Sequence, residues 1–212
     1  MSYVPVIDTG SQILRQIDEF FMNQSPVHHT MRNVTRRMTE EHIDYAVIGG
    51  MALALHGLVR PTEDVDLLLS GDGLAEFQQL LVGRGYVPLF PGARKHFRDA
   101  ETGVKVEIIT SGEYPGDGKP KSVVFPLPED ASIEVGEFRV VNLEKLIELK
   151  LASGLSAEHR QLRDLADVQQ LIEVLKLSKD LGLSLDSSVR EEYQRLWGLA
   201  QKSRQDEIES AE

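Results

Sequence analysis

The sequence predicts an α+β protein: a small mixed β-sheet core with flanking helices and a C-terminal helical part. Three observations carry this expectation. Long stretches with apolar residues at helical spacing occur towards the two ends of the chain. The middle holds short apolar runs, each bounded by glycine, proline or charge, which suit strands. The 212 residues are 41% hydrophobic and 27% charged, enough for a packed core and too apolar for a disordered chain. The expected organisation is a helical extension over residues 1–43, an α/β core over 44–141, and a helical region over 142–212 packed on that core without a linker.

The elements follow in order. Ile13, Leu14, Ile17, Phe20 and Phe21 recur at helical spacing after Ser11, a capping residue type. Met31, Val34 and Met38 predict a second helix ending near His42, with His28–His29 as its polar start. Tyr45–Ile48 is an apolar run stopped by Gly49–Gly50 and reads as a buried strand; Met51–His56 is helix-like and closed by Gly57. Val65–Leu69 is a second strand, and Leu74–Val82 a helix stopped by Gly83 and Gly85. Tyr86–Phe90, Lys95–Arg98 and Val104–Ile109 are strand-like, the last two joined by a turn at Asp99–Gly103. Ser111–Lys121 is rich in Gly, Pro and charge and reads as an exposed loop. Ile133–Val135 and Phe138–Val141 flank Gly136–Glu137 as a hairpin. Helices then run over Leu143–Ser153, capped by Asn142, over Glu158–Leu175, and from Val189 to about Arg204.

Composition excludes several classes of function. With no cysteine, disulfides, thiolate zinc sites and a cysteine nucleophile are ruled out. No apolar run approaches the ~18–20 residues that span a bilayer. Met1–Ser11 has neither the basic nor the apolar region of a signal peptide, so the expected compartment is the cytoplasm. The net charge of -11 gives no global attraction for nucleic acid, though a local basic cleft is compatible with it. Part of the surplus is an acidic C-terminus, Asp206, Glu207, Glu209 and Glu212, read as a solvated tail. The histidines at 56, 96 and 159 are scattered without ligand spacing, and Trp197 reads as a core or inter-helix residue.

Chemistry is concentrated between Val47 and Leu69. An apolar strand ends in a glycine pair that opens a helix, an arrangement that lets backbone approach a phosphate, although turns use Gly-Gly constantly. Asp64 and Asp66 then alternate with Val65 and Leu67, which puts both carboxylates on one face of a strand. Like charges this close call for a cation, and oxygen donors with open positions suit Mg²⁺ or Mn²⁺; the bland alternative is a solvent-exposed strand start. Glu107 interrupts the apolar run Val104–Ile109. Beside the Asp pair it would make a three-carboxylate site for Mg²⁺ or Mn²⁺; the alternative is an edge strand with Lys105 and Glu107 facing water.

Ile48-Gly49-Gly50, Asp64-Val65-Asp66 and Glu107, in this order and spacing, resemble the nucleotidyltransferase superfamily of DNA polymerase beta, kanamycin nucleotidyltransferase and the CCA-adding enzymes. Arg60 and Thr62 ahead of the Asp pair narrow the resemblance to AbiEii-type toxins and related minimal nucleotidyltransferases. Lys150 and Arg163-Asp164-Leu165-Ala166-Asp167 resemble that group's later motifs, so the likeness runs from about Asp44 to Leu175. Two positions depart from it: Gly50 stands where Ser is frequent, and Glu107 where Asp is usual.

The resemblance implies transfer of a nucleoside monophosphate from a nucleoside triphosphate to a hydroxyl. Asp64, Asp66 and Glu107 would hold metal, with Glu107 as the proton acceptor and Lys150 beside them in catalysis. Gly49, Gly50, Arg60, Thr62, Arg163, Asp164 and Asp167 would bind nucleotide. The implied acceptor is RNA (tRNA, by analogy with the toxins), a protein or a small molecule; an antitoxin is an implied partner and a membrane is not. The bland readings stay beside these: Lys150 as a snorkelling surface lysine whose removal leaves the fold intact, Arg60 as a loop cation pairing with Glu63, Asp164 and Asp167 as a solvated helix face paired with Arg160 and Arg163. A second hypothesis is a non-catalytic nucleotide- or partner-binding domain that keeps the fold.

Overall fold

The computed structural model describes residues 25–211, with side chains through Ser203. The helix expected around Ile13–Phe21 and the side chains of the acidic tail lie outside the described residues. Helix α1 (Pro26–Glu40) starts as its sequence dictates. Ser25 caps it by accepting from the His28 amide, and Pro26 takes a first-turn position where its missing N–H costs nothing. Val27, Met31, Val34 and Met38 form its buried stripe. Strand β1 (Ala46–Ile48), helix α2 (Gly49–Leu55), strand β2 (Asp64–Leu69) and helix α3 (Gly71–Leu80) follow. Then come β3 (Tyr86–Pro88), β4 (His96–Asp99) and β5 (Lys105–Thr110). A short helix α4 (Pro128–Ala131) leads into the hairpin β6 (Ser132–Val135) and β7 (Phe138–Val141). The chain finishes with α5 (Leu143–Ser156), α6 (Glu158–Leu175), a 3₁₀ turn (Lys179–Leu183) and α7 (Ser187–Ala211).

The strands form one mixed seven-stranded sheet in the order β3-β4-β5-β2-β1-β7-β6. β2 runs parallel to β5 and antiparallel to β1, while β1 runs parallel to β7. The α+β class and the small mixed sheet are therefore as the sequence predicts. The differences are local. α2 begins at Gly49 rather than Met51, because the glycines that stop the strand are themselves the first helical residues. α4 and the 3₁₀ turn went unpredicted; elements this short have no periodicity to read.

One row of side chains, Val65, Val106 and Phe97, crosses β2, β5 and β4 in register. Phe97 meets Phe77 of α3 with ring centroids 5.0 Å apart, and Phe77 also meets Tyr86 at 5.6 Å. That face of the sheet is closed by apolar packing. The alternate row, Asp66, Glu107 and His96, points to the other face. One hydrophobic cluster extends from Val27 to Ala200 and so joins the sheet to the C-terminal helices. Among those helices the approach is close: a Cβ on Gly154 of α5 would lie 2.9 Å from Leu165 of α6. The Tyr193 hydroxyl and the Trp197 indole of α7 donate to the carbonyls of Ser178 and Leu177, tying α7 to the 3₁₀ segment. Among the described residues no helix is long and apolar enough to cross a membrane.

Phe77 is fully buried at the centre of the aromatic contact. Phe77→Ala is expected to cost about 3–5 kcal/mol of stability by urea unfolding; a loss below about 1 kcal/mol would mean that this layer is loosely packed.

Candidate active site

Two adjacent parallel strands build an acidic wall. Asp64 and Asp66 alternate with the buried Val65 and Leu67 on β2, and Lys105, Glu107 and Ile109 alternate with the buried Val106 and Ile108 on β5. The register sets Asp64 beside Lys105 and Asp66 beside Glu107. Neighbours in register share a face, so three carboxylates and one ammonium open together into a cavity of about 340 Å³. β5 lies between β4 and β2, which disposes of the edge-strand reading of Glu107.

The glycine pair is required here by close approach. Gly49 sits at φ +68°, in the left-handed region, and a Cβ there would fall 1.9 Å from Asp66 Oδ2. At Gly50 a Cβ would lie 2.6 Å from Thr62 Oγ1. A side chain at position 50 has no room, because Thr62 fills the space. Thr62 itself donates to Asp64 Oδ1 at 2.9 Å, holding one carboxylate from behind.

Opposite the acidic wall stands a buried ionic knot. Lys150 of α5 donates to Asp164 Oδ1 at 3.1 Å and Asp167 Oδ2 at 2.7 Å on α6. Arg60, in the loop between α2 and β2, clamps Asp167 with two bonds, from Nε at 2.8 Å and Nη2 at 2.9 Å. Arg160 Nε stands 3.4 Å from Asp164 Oδ2. Lys150 is 8% exposed and both aspartates 3%. The solvated-face and snorkelling readings of these residues fail, as does the pairing of Arg60 with Glu63. Burial works to raise the Asp164 pKa, but the Lys150 charge and hydrogen bond and the Arg160 charge outweigh it and hold the carboxyl below the usual range.

Of the residues singled out from the sequence, Thr62 and Asp167 stand behind the cavity wall and all the others line it. Lys105, Arg160, His159 and Phe125 also line it and lie outside the motifs that the sequence offers. Lys105 carried a legible signal, since it shares Glu107's parity on the strand. The loop over residues 111–121 carried none. Its Pro115 is buried, and Gly116 packs so tightly on α5 that a Cβ would lie 2.9 Å from the Ser153 carbonyl. What reads as an exposed loop is thus partly a cavity wall.

The electrostatics of the acidic wall are unrelieved at Asp66. Among the described residues no hydrogen-bond donor reaches its carboxylate, although it is closely surrounded by protein. Burial first, then the charges of Asp64 and Glu107, push its pKa up to about 7, against the pull of Lys105 and Arg160. Burial works to lower Lys105, but its hydrogen bond to Glu107 and the fields of Glu107, Asp64 and Asp66 leave its pKa raised. Lys105 Nζ lies 2.5 Å from Glu107 Oε2, and His96 Nδ1 lies 3.6 Å from the same oxygen. Among the described residues no three carboxylates or histidines are spaced to grip one ion. The donor set still fits a divalent cation: oxygen ligands only, crowded like charges, and a carboxylate without a partner.

The sequence profile of the family described as "Nucleotidyl transferase AbiEii toxin, Type IV TA system" matches residues 37–206. The chain belongs to this family of nucleotidyltransferases. Comparison with curated protein sequences gives no match. Among solved structures, this AbiEii-family chain is similar to ANT(2")-Ia in complex with adenylyl-2"-tobramycin, at 11% identity and a TM-score of 0.50, over 83% of this chain and 97% of that one. It is also similar to two proteins carried under provisional nucleotidyltransferase assignments. The one from Thermotoga maritima is 19% identical, with a TM-score of 0.49 over 66% of this chain and 91% of that one. The one from H. pylori is 17% identical, with a TM-score of 0.45 over 86% and 94%. The likeness to ANT(2")-Ia speaks to the fold.

Two outcomes follow from the charges. A carboxyl whose folded pKa is raised costs the native state stability as pH climbs from its unfolded value near 4 towards 7. Asp66→Asn removes that cost. In EDTA its melting temperature should exceed that of wild type by a few degrees at pH 8, with the gap narrowing towards pH 5; a pH-independent gap would contradict the crowding. Lys150→Ala leaves Asp164 and Asp167 short of a cation in a buried place and should lose about 3 kcal/mol by denaturant unfolding. This corrects the expectation that the fold tolerates loss of that lysine, and wild-type stability in the variant would restore it.

Proposed function

We propose that this nucleotidyltransferase moves a nucleoside monophosphate from a nucleoside triphosphate to an RNA hydroxyl, tRNA being the acceptor, with Mg²⁺ or Mn²⁺ held by Asp64, Asp66 and Glu107. The observation that carries the reading is the opposition of two walls. The carboxylates of β2 and β5 face Arg60, Lys150, Arg160 and Arg163 across one cavity. Metal and triphosphate together complement such a pair of walls; neither alone does.

The divalent ion, when bound, would neutralise the carboxylates and polarise the α-phosphate. The chain's own residues supply the rest. Gly49 and Gly50 keep the start of α2 free of side chains beside Asp66, so a phosphate meets bare backbone there. An ammonium has three donors; Lys150 commits two to Asp164 and Asp167 and keeps one for phosphate. Asp167 and Thr62 act from behind the wall, by orienting Lys150, Arg60 and Asp64. Arg163 lies exposed at the start of α6 with His159 and Arg160. This basic cluster supports RNA as acceptor, since an acidic chain needs a local cationic surface to hold it. In the reaction the acceptor oxygen forms a bond to the α-phosphorus as the α–β bridging bond breaks. Pyrophosphate leaves with the electron pair, and the acceptor's proton passes to Glu107. The activity is that of a toxin in the cytoplasm, held in check by an antitoxin partner.

Labelled nucleoside triphosphates incubated with the full chain and total cellular RNA test this directly. Label is expected in RNA of tRNA size, dependent on Mg²⁺ or Mn²⁺, and Asp66→Asn should lower the rate about a hundredfold or more. Label confined to protein or to a small molecule would overturn the RNA acceptor.

A further inference from the structure

We propose that Lys105 is a resident counter-cation of the carboxylate site: it holds Glu107 while no divalent ion is bound, and a divalent ion releases it to the phosphates of the incoming triphosphate. The inference rests on the metal-dependent reading above and adds a second role for a residue that none of the motifs includes.

The geometry argues it in three steps. Lys105 is the in-register neighbour of Asp64 on the adjacent parallel strand, and its stem rises from the same sheet face as Asp64, Asp66 and Glu107. Its ammonium is therefore built into the acidic cluster by strand register. Second, it has one hydrogen-bond partner among the described residues, Glu107 Oε2 at 2.5 Å. The contact costs Glu107 an oxygen that a divalent ion would need, in keeping with the lack of three ligands spaced for one ion. Third, the balance of charge favours exchange. Three carboxylates facing one ammonium leave negative charge in excess, which draws a divalent ion to the cluster. A divalent ion attracts the same oxygens with twice the charge and repels the ammonium beside them.

Where the ammonium goes is set by its stem. The side chain is 34% exposed and lines the cavity shared with Lys150, Arg60 and Arg163. A lysine head on a flexible four-carbon stem re-aims without moving the strand. Expelled from Glu107, it meets no other carboxylate in the cavity that the divalent ion leaves exposed; Asp164 already has Lys150 and Arg160. A polyphosphate in the same cavity is the remaining anion. Lys105 thus lowers the affinity for metal alone and raises it for metal together with triphosphate, so that the site fills with both at once.

The test uses the full chain and two base-independent probes, Mn²⁺ followed by electron paramagnetic resonance and inorganic tripolyphosphate. Without phosphate, Lys105→Met should bind Mn²⁺ about tenfold more tightly than wild type, the worth of one charge-assisted hydrogen bond. In the presence of Mn²⁺ it should bind tripolyphosphate about tenfold more weakly. Lys105→Arg, which keeps the charge and can hold two oxygens at once, should bind Mn²⁺ no more tightly than wild type. On the wild-type chain, acetylation of Lys105 read by peptide mass spectrometry should rise on adding Mn²⁺, which needs no folded variant. Unchanged or weaker Mn²⁺ binding by Lys105→Met, or acetylation indifferent to Mn²⁺, overturns the inference. Asp66→Asn separates the two levels. If it loses Mn²⁺ while Lys105→Met gains nothing, only the role of Lys105 falls; if it binds Mn²⁺ like wild type, the metal reading falls and takes the inference with it.

Discussion

Asp64, Asp66 and Glu107 are forced together by the register of β2 and β5, and backbone hydrogen bonding, not attraction among the side chains, holds them there. A sheet ladder is cooperative and its register is set by the buried row of Val65, Leu67, Val106 and Ile108. Shifting β5 by one residue to relieve the repulsion would turn that apolar row out of the core. Hydrophobic packing on one face of the sheet thus stabilises an electrostatically unfavourable arrangement on the other. The stress collects at Asp66, which has neighbours of like charge and no donor among the described residues, and whose pKa rises to about 7. Lys105 relieves part of it, and the glycines at 49 and 50 come from the same crowding, as any Cβ there would strike Asp66 or Thr62.

The opposite wall solves the reverse problem. Lys150, Asp164 and Asp167 are buried charges and Arg60 a half-buried one, and each finds a partner of opposite sign in the knot. Buried ion pairs of this kind are weak contributors to net stability and strong determinants of geometry, since removing one member strands the others. The knot joins α5, α6 and the loop ahead of β2, elements far apart in sequence. Its members also explain why Arg60 does not collapse onto the nearby acidic wall: the two bonds to Asp167 fix the guanidinium on the far side of the cavity. One wall therefore carries an excess of anions and the other has its cations fixed in place, which leaves a field across the cavity for a bridging ligand to fill.

The fold was legible wherever burial imposed a period. The alternation over Asp64–Leu69 and Lys105–Thr110 revealed both strands and the shared face of their carboxylates, and the 3.6-residue period over Glu158–Leu175 put Asp164 and Asp167 on one side of a helix. What periodicity does not encode is which faces meet. Lys150 on an apolar helix looks the same in sequence whether it snorkels to water or is held by two aspartates of the next helix. Arg60 has Glu63 as its near neighbour in sequence, yet its partner lies on α6. Pro115 and Gly116 sit in a stretch whose composition signals exposure, and only packing on Ser153 makes that stretch a wall. In each case the deciding contact is long-range, so no local pattern announces it.

Lys105 shows how a residue escapes a motif-based reading. A motif names the residues whose loss abolishes chemistry, and a cation that competes with the metal lowers one affinity while raising another. Its signature is positional: the same strand parity as Glu107 and the same register row as Asp64. A lysine at that point meets the physical demand of the site in the absence of metal, since crowded carboxylates in a partly closed cavity need a positive charge at all times. A permanently placed arginine would meet it too, but its planar fork would hold two oxygens at once and resist displacement. An ammonium makes a single, easily exchanged contact, which suits a site that must trade its own cation for a ligand's.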